Sequence, residues 1–591
     1  MDSLRKPYSF SGNKVLLDYS SIYCDSTAAL LKSDLFREIL RRYLIQLEKR
    51  GSHIHEYLKN SFSGIGNEEI LNSLVSLFRL LATHSVDEIG KLSDEHRMAL
   101  ARPDILFELK DQIYNFWVRM ERVTYMNVPK RQTDIENDLH YAQFVTTNEE
   151  LKNLILLTYR RIGENLIVQN PRVLRQLPAW ANMAMLVRKI EWDCPEQFGQ
   201  INEIPFVRVC LIFPPLILYP KANTRKGSFE ETKKLPDGLF DIKQDEWFCF
   251  PAKVGDLLAF IYFHRDFCTL ALSMSNLFEL ASKAELKGGK PDLMIFFGIA
   301  PEKFPMKTGY HYHEETSTLI GMVSNINEVD YFGYFKKMTL TLHNLRMIKK
   351  KNLPIHGAMV AVELKDGSTA NVVIIGDSGA GKSETLEALR LLAEDNIKEM
   401  KIIFDDMGSL RLDDKGDVIG YGTETGAFVR IDDLSPAYAY EQVGRSIFMN
   451  PHLKNARIVI PVTSYETIMR GHKVDIFLYA NNYDLVPEGV SAIEFFKEKS
   501  EAIEVFRYGA RMAKGTTDEK GLVHTYFANP FGAPQEREAH EKIAETFFKA
   551  MFAKGVKVGQ IRTRLGLDGY EQKGPEMASK DLFEVIKGLK K

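Results

Sequence analysis

The chain has 591 residues, a length that accommodates several domains of ordinary size. Its composition, 45% hydrophobic and 26% charged, is that of a globular protein, and the formal net charge of −2 excludes a strongly basic field that would attract nucleic acid or membrane surfaces. Five dispersed cysteines without a C-x-x-C pair exclude a cysteine zinc site and a dense disulfide framework, and they predict a reducing compartment.

The first residues, MDSLRKPYSFSGNK, lack the apolar core of a signal peptide, and no apolar run reaches membrane-spanning length. We therefore expect a cytoplasmic protein that has neither nucleic acid nor a membrane as its partner.

Residues 1–195 are predicted to form a mostly helical N-terminal domain. The segment SDLFREILRRYLIQLEKRG has a candidate N-cap at Ser33, an apolar stripe at helical spacing and a stop at Gly51. Similar stripes occur in RPDILFELKDQIYNFWVRMERV and in TNEELKNLILLTYRRIGENLI, where Thr147 and Glu150 have the spacing of a capping box. These stripes indicate core packing, and oligomerisation or partner binding is the hypothesis for this domain.

After Pro195 the chain changes to short β-branched and aromatic runs interleaved with helical patterns, which predicts an α/β architecture. The predicted strands are FVRVCLIF, LLAFIYF, DLMIFFG, TLIGMVSNI, AMVAVEL, VVIIG, KIIFDD, RIVIPV and DIFLYA. Residues 220–238, rich in lysine and proline, are predicted to be a loop. We assign 196–335 to a substrate-side α/β domain and 336–591 to a catalytic domain that binds nucleotide and metal.

The segment NVVIIGDSGAGKSETLEALR matches the P-loop pattern G-x-x-x-x-G-K-[ST]. Its candidate nucleotide-binding residues are Gly376, Asp377, Ser378, Gly379, Ala380, Gly381, Lys382, Ser383 and Glu384. A β-branched run precedes the turn and a helical leucine pattern follows it, so backbone N–H groups and the positive helix end would face a polyphosphate. Lys382 would neutralise the β- and γ-phosphate oxygens, and the Ser383 hydroxyl would bind a divalent ion. The alternative is a plain strand-to-helix turn, which this context disfavours.

Three further clusters lie around this loop: the pair Lys336 and Lys337, then His356 before a strand, then Asp405 and Asp406 at the end of an apolar run. The aspartates resemble a Walker B arrangement, in which a strand-end carboxylate reaches a nucleotide-bound metal. Taken singly, a lysine pair is usually a solvated face, a lone histidine is usually structural, and two aspartates often end a strand. Their common order around a P-loop favours a functional set.

Together with Arg457 in NARIVIPV, these clusters resemble ATP-type phosphoenolpyruvate carboxykinase. That family has Y-x-x-E-M-K-K, L-P-x-H, G-x-S-G-x-G-K-T, D-D and T-R-x-x-Y-P in this order. The corresponding stretches here are YFGYFKK from Tyr331, LPIH, the P-loop, DD and ARIVIP. The resemblance covers about residues 200–591. It implies a carboxykinase-like mixed-sheet P-loop region that follows the helical N-terminal domain.

The resemblance also implies roles for individual residues. Lys337, His356 and Asp406 would bind Mn²⁺, with Mg²⁺ on Ser383 and ATP in the loop. Lys336, Lys382, Arg457 and Asp405 would be catalytic, and Tyr331 and Arg225 would lie on the substrate side. The implied reaction converts oxaloacetate and ATP into phosphoenolpyruvate, CO₂ and ADP. The chain departs from the family where R-S-P-x-D-K is expected, because NTRKGSFEE matches only through Arg225. The lysine segment lacks the usual glutamate, and KGTTDEKG lacks the arginine expected near the base.

The P-loop region is also similar to HPr kinase/phosphorylase, which phosphorylates a serine of a carrier protein. Under that hypothesis His356 and one of the two aspartates would lie near the metal and the attacking hydroxyl. A third hypothesis is a nucleotide-binding regulatory or scaffold protein. The phosphoryl donor stays open among ATP, GTP and pyrophosphate.

Overall fold

The computed structural model describes residues 7–19, 24–62, 66–92, 94–128, 138–167, 176–225, 227, 229–377, 379–392, 396–431, 443–513 and 520–589. These residues form a mixed α/β protein with several mixed sheets. The chain divides into two compact units, residues 1–188 with 207–213, and residues 189–206 with 214–591. Within the described residues, no helix combines the length and the apolar character that crossing a membrane requires.

The first unit contains a helical apolar core and strands whose buried side chains pack in further apolar clusters. Its helices are Thr27–Lys32, Asp34–Lys49, His53–Ser61, Asn67–Leu81, Val86–Leu92, Asp94–Ala99, Pro103–Val118 and Asp138–Leu166. Its strands are Tyr8–Ser11, Lys14–Asp18, Glu121–Asn127 and Met183–Arg188, and most of Phe206–Ile212 also belongs to it. The first two strands form an antiparallel hairpin, and the next two add in parallel.

The helix Asp34–Lys49 starts as predicted, because the Ser33 hydroxyl oxygen accepts a hydrogen bond from the Phe36 amide at 3.2 Å. The predicted start at Thr147 is wrong, since one helix runs from Asp138 to Leu166 and leaves Thr147 in its interior. Phe144, fully buried, continues the apolar stripe before Thr147, so packing extends the helix past the local capping signal.

The described residues of the second unit form two larger sheets and two smaller ones. The first sheet has adjacent strands in the order Trp247–Val254, Leu257–His264, Leu293–Ile299, Thr318–Ser324 and Thr308–His313, with Glu279–Leu280 beside the first of them. The second has the order His472–Lys473, Val418–Gly422, Met407–Leu412, Leu353–Leu364, Thr369–Ile375, Ile476–Asn481, Lys557–Arg562 and Ile493–Phe495, and Ile397–Phe404 also pairs with Leu353–Leu364. The smaller sheets comprise Gly426–Arg430, Arg457–Pro461, Ile447–Met449 and Leu216–Leu218, and Ala510–Met512 with Leu522–His524.

The helices of this unit are Cys268–Ser273, Lys283–Leu286, Phe332–Lys349, Lys382–Leu392, Tyr465–Met469, Lys499–Tyr508, Arg537–Ala553 and Lys573–Gly588. Helices cover the second sheet on both faces, with Arg537–Ala553 on one face and Lys382–Leu392 and Lys573–Gly588 on the other. Val373 and Phe477 face a core that includes Phe548, whereas Val372 and Leu478 face one that includes Leu582. The alternation of neighbouring residues between two cores explains the continuous apolar runs in the sequence.

All nine predicted strands are strands in the structure, which confirms the α/β class. The described part of residues 220–238 contains no helix and no extended strand, as predicted for a loop. The proposed boundary after residue 195 lies close to the division between the two units, and the one after residue 335 falls within the helix Phe332–Lys349.

Candidate active site

The P-loop segment lies at the carboxyl edge of three parallel strands. Thr369–Ile375 pairs in parallel with Ile476–Asn481, which pairs in parallel with Lys557–Arg562. The residues that follow the two neighbouring strands hold the loop. Asn482 Nδ2 donates to the Gly379 carbonyl at 3.0 Å, and Thr563 Oγ1 donates to the Ala380 carbonyl at 2.7 Å. Ligands of open α/β sheets bind at such edges.

Two glycines of the loop have backbone angles that favour glycine, with φ of 79° at Gly379 and 92° at Gly381. A Cβ atom on Gly381 would also lie 2.5 Å from Thr563 Oγ1. The helix then begins at Lys382, so its amino end faces the loop. This is the geometry of a phosphate cradle.

The polar side chains of the loop differ in accessibility. Lys382 is buried, and its Nζ atom donates to the Asp377 carbonyl at 3.3 Å. Ser383 is exposed and Glu384 is half-buried. Ser378 lies outside the described residues, and so does most of KGTTDEKG.

The Asp377 carboxylate is held from outside the loop. Its Oδ2 atom accepts from Arg511 Nε and from Thr525 Oγ1, each at 3.0 Å. Its Oδ1 atom lies 3.9 Å from His356 Nδ1, which connects the loop to the predicted metal cluster. Arg511 was missed in the sequence, because nothing in FRYGARMAK distinguishes a buried arginine from an exposed one.

Asp406 occupies an interruption between two consecutive strands. Ile397–Phe404 and Met407–Leu412 both pair with the long strand Leu353–Leu364, and Asp406 lies between them with φ of 86°. Its carbonyl accepts from the Gly357 amide at 3.0 Å. A left-handed conformation is unfavourable for a residue other than glycine, and such residues concentrate at functional sites.

The side chains of Lys336, Lys337 and His356 converge on the Asp406 carboxylate. Oδ2 lies 2.7 Å from Lys336 Nζ and 3.1 Å from Lys337 Nζ, and Oδ1 lies 3.0 Å from His356 Nε2. Burial alone would raise the pKa of Asp406, but the two ammonium groups and the histidine hold that pKa well below its usual range. Asp406 is therefore an anion at neutral pH.

The two adjacent lysines have different surroundings. Lys336 is completely buried and lies 3.1 Å from a second carboxylate, Glu424 Oε1. Burial opposes its charge, but Asp406 and Glu424 together raise the pKa of Lys336. Burial lowers the pKa of Lys337 to about 8, and its ammonium group stands 4.1 Å from the Phe531 ring centroid. Lys337 is thus the lysine that loses its proton more readily.

Glu424 was missed in the sequence. It follows the strand Val418–Gly422 in the segment GTETG, which matches no motif, and only the fold brings it to Lys336. Burial raises the pKa of Glu424 to about 7, and neither carboxylate oxygen has a well-aligned hydrogen-bond donor among the described residues. The pKa of Asp405 is also raised, mainly by burial and then by the negative charge of Asp406. The positive charges of Lys382 and Lys336 act to lower that pKa but do not cancel the rise.

The two ring nitrogens of His356 have partners that suit a metal-binding histidine. Its Nδ1 atom lies 2.7 Å from the Ala528 carbonyl, which only accepts, so Nδ1 carries a proton. In the neutral ring the Nε2 lone pair then faces Asp406 Oδ1 at 3.0 Å, and two acceptors at that distance require a cation or a second proton. A backbone carbonyl on the far nitrogen is the usual orienting partner of a metal-binding histidine.

The spacings of the cluster also fit an ion. Neighbouring donors of an octahedral ion with bonds of about 2.1 Å lie about 3.0 Å apart. The His356 and Lys337 nitrogens lie 3.0 and 3.1 Å from the Asp406 oxygens. No three His, Cys, Asp or Glu side chains group together among the residues that the structure describes, so the third protein ligand here would be Lys337. This donor set fits a divalent ion when Lys337 is neutral. Ser383, itself a described residue, forms no hydrogen bond with Lys337, His356 or Asp406.

The predicted substrate residue Arg225 and the predicted catalytic residues Lys336 and Arg457 all lie near Tyr331. Burial raises the pKa of Tyr331, while the nearby cations Arg457, Arg225 and Lys336 act to lower it. Arg225 and Lys337 both face the ring of Phe531, at 5.9 and 4.1 Å from its centroid. Tyr331 therefore lies among cations, one of which, Lys336, contacts Asp406.

Arg457 begins the strand Arg457–Pro461 and packs on Phe428, with its guanidinium carbon 5.1 Å from the ring centroid. Its Nη1 atom donates to the Phe428 carbonyl at 3.4 Å, and its buried Nε has no partner among the described residues. The segment of Arg225 is fixed nearby, since Asn455 Nδ2 donates to the Asn223 carbonyl at 2.8 Å.

Neither the known protein families nor the curated protein sequences with which the chain was compared match it. The functional interpretation therefore depends on the residues and distances described above.

Proposed function

We propose that the second unit catalyses metal-dependent phosphoryl transfer from a nucleotide, with oxaloacetate and ATP giving phosphoenolpyruvate, CO₂ and ADP. The observation that carries the proposal is the convergence of Lys336, Lys337 and His356 on Asp406. His356 also lies 3.9 Å from Asp377 of the P-loop segment, so the cluster adjoins the place where the nucleotide phosphates would bind.

The ligands of the proposed Mn²⁺ are Lys337, His356 and Asp406, and a second divalent ion would accompany the phosphates at Ser383. A divalent ion in the cluster would supply positive charge for the oxyanion that develops as a β-keto acid loses CO₂. Lys337 is suited to binding the ion because burial lowers its pKa to about 8, so that the neutral amine, which is the form that binds a metal, is accessible.

The remaining cations match the charge that develops in the reaction. The C–C bond to the departing carboxylate breaks, its electron pair forms an enolate, the enolate oxygen attacks the γ-phosphorus, and the bond to the ADP oxygen breaks. Lys336, a cation held by Asp406 and Glu424, would stabilise the enolate. Lys382 and Arg457 would bind the phosphoryl oxygens, because electrostatics and positioning dominate this class of reaction.

An acidic substrate suits this site better than an alcohol. Arg225 and Arg457 both act on Tyr331, and neither has an ion-pair partner among the described carboxylates. Arginine binds a carboxylate or a phosphate through two parallel hydrogen bonds. An HPr-kinase-like transfer to a serine would use His356, Asp406 and the loop but would leave these arginines and Lys336 without a role.

The test is a product assay with purified full-length protein, Mn²⁺ and Mg²⁺. Oxaloacetate is offered with ATP, GTP or pyrophosphate, and serine peptides and small alcohols are offered in parallel. Formation of phosphoenolpyruvate and CO₂ that is lost in Lys382→Ala and kept in Lys587→Ala, an exposed lysine, supports the proposal. Transfer only to hydroxyl groups favours the kinase alternative. Nucleotide binding without transfer to any acceptor would contradict both enzymatic functions.

A further inference from the structure

The first unit contains a partly open cavity of about 120 Å³ between its helices. Most of the wall is apolar, and it includes Leu31, Phe36, Ile113, Ile155 and Ile162. Apolar cavities of roughly 150 Å³ in helical proteins accept ligands of the size of benzene. The cavity is therefore large enough for a small apolar body.

One polar group in the wall has no protein partner. The Tyr114 hydroxyl is buried and forms no hydrogen bond with a described residue. Burial raises the pKa of Tyr114 to about 12, so the hydroxyl keeps its proton and acts as a donor. Buried donors are normally satisfied, because an unpaired one loses its hydration without compensation. The unmet donor indicates a ligand that carries an acceptor.

The charges near this hydroxyl favour an anionic acceptor. Arg122 and Arg160 are the charged groups that act on Tyr114, and both are cations. Arg122 is 1% exposed and donates to the Pro178 carbonyl at 3.1 Å and to the Asn182 side chain, but no described carboxylate pairs with it. A buried cation without a counter-ion attracts a negative charge.

The buried cation that lines the cavity itself, Lys110, is already neutralised. Lys110 Nζ lies 2.9 Å from Asp111 Oδ1 and 3.9 Å from the Tyr159 ring centroid. Gly163 leaves room for this ammonium group, since a Cβ atom there would lie 2.9 Å from Nζ. The pair of Lys110 and Asp111 contributes no net charge, so the positive charge near the cavity that lacks a described counter-ion is that of Arg122.

We propose that this cavity binds a small monocarboxylate whose apolar body of about six carbons fills the cavity and whose carboxylate accepts a hydrogen bond from the Tyr114 hydroxyl. The cavity lies entirely in the first unit, so the proposal is independent of phosphoryl transfer.

The experiment compares three ligands with one hydrocarbon chain, namely hexanoate, 1-hexanol and hexylamine, by calorimetric titration of the full chain. Hexanoate is expected to bind most tightly and hexylamine not at all. Tyr114→Phe keeps the ring and removes the donor, and it should weaken hexanoate binding about tenfold or more, as loss of a hydrogen bond to a charged group does. Tyr508→Phe, at an exposed tyrosine of the other unit, is the matched control.

Ile155→Phe tests the location, because the larger side chain fills the cavity and should abolish binding of hexanoate. Equal affinity for the three ligands would overturn the proposal, as would unchanged hexanoate binding in Tyr114→Phe or in Ile155→Phe. Absence of hexanoate binding at millimolar concentration would overturn it too.

Discussion

The Nε2 atom of His356 lies 3.0 Å from Asp406 Oδ1, while Nδ1 of the same ring is occupied by the Ala528 carbonyl. This relationship directs the free lone pair of the histidine at a carboxylate. We expect His356→Ala to weaken Mn²⁺ binding at least about tenfold, because loss of one ligand removes a direct bond to the ion. Titration of free Mn²⁺ by electron paramagnetic resonance measures the affinity, with His311→Ala, in the strand Thr308–His313 of the other large sheet, as the control. Equal Mn²⁺ affinity in both variants would remove His356 from the metal site.

Lys382→Ala should lower kcat/KM by about 10³ or more, since the ammonium group is predicted to neutralise phosphate charge in the transition state. The thermal unfolding midpoint should stay close to that of the wild type, because within the described part of the chain the Nζ atom donates only to a carbonyl of its own loop. Steady-state rates and a melting curve check both expectations. Full activity in Lys382→Ala would refute the P-loop assignment.

Arg457→Lys separates the carboxykinase hypothesis from the HPr-kinase hypothesis. A guanidinium group spans the phosphoryl group and the substrate oxygen, and an ammonium group does not, so kcat should fall about 10²-fold or more while nucleotide affinity changes little. Arg470→Lys, at an exposed arginine paired with Glu466, is the control. Unchanged rates with oxaloacetate and with hydroxyl acceptors would exclude the proposed role of Arg457.

Glu424→Gln should reduce activity while it increases stability at alkaline pH. The folded state raises the pKa of Glu424 from 4.5 to about 7, so stability is lost as pH rises through that interval, and the glutamine variant lacks this loss. We expect the variant to gain about 1 kcal/mol or more at pH 8. Its turnover should fall about tenfold, because Lys336 loses one of its two carboxylates. Urea unfolding at pH 6 and pH 8, with rates at the same pH values, tests this, and full activity of the variant would contradict it.

His540 should make the second unit sensitive to acid. Burial lowers the pKa of His540 from 6.5 to about 4, so the unfolded chain takes up a proton at a higher pH than the folded one. Stability is then present above about pH 6.5 and is lost as pH falls toward 4, by about 2 kcal/mol at pH 5. Urea unfolding at pH 7 and pH 5 should show a smaller loss for His540→Gln than for the wild type. An identical loss in both proteins would assign the acid sensitivity to other groups.

The predicted elements and the observed ones agree most closely where local chemistry decides the conformation. The nine strand runs, the Ser33 cap and the glycine turn before Lys382 follow from β-branching, capping and permitted backbone angles. The predicted start at Thr147 was wrong because the helix begins earlier, at Asp138, and packing of the buried Phe144 holds the turns before Thr147 in helical form. Four strands of the first unit were not predicted, and the shortest of them, Tyr8–Ser11, is too short to show a distinct period.

By itself, the sequence determined the α/β class, the glycine turn between strand and helix at residues 376–382, and the residue types of the candidate site, because these are recorded in contiguous residues. The tertiary structure alone decided that Glu424 lies against Lys336, that Ala528 fixes the ring of His356, and that Arg511 holds Asp377. Each of these pairs is far apart in the chain, and a carboxylate or an arginine shows no local sign of its burial. Charge state follows from burial and from neighbouring charges, so only the folded chain distinguishes Lys336 from Lys337.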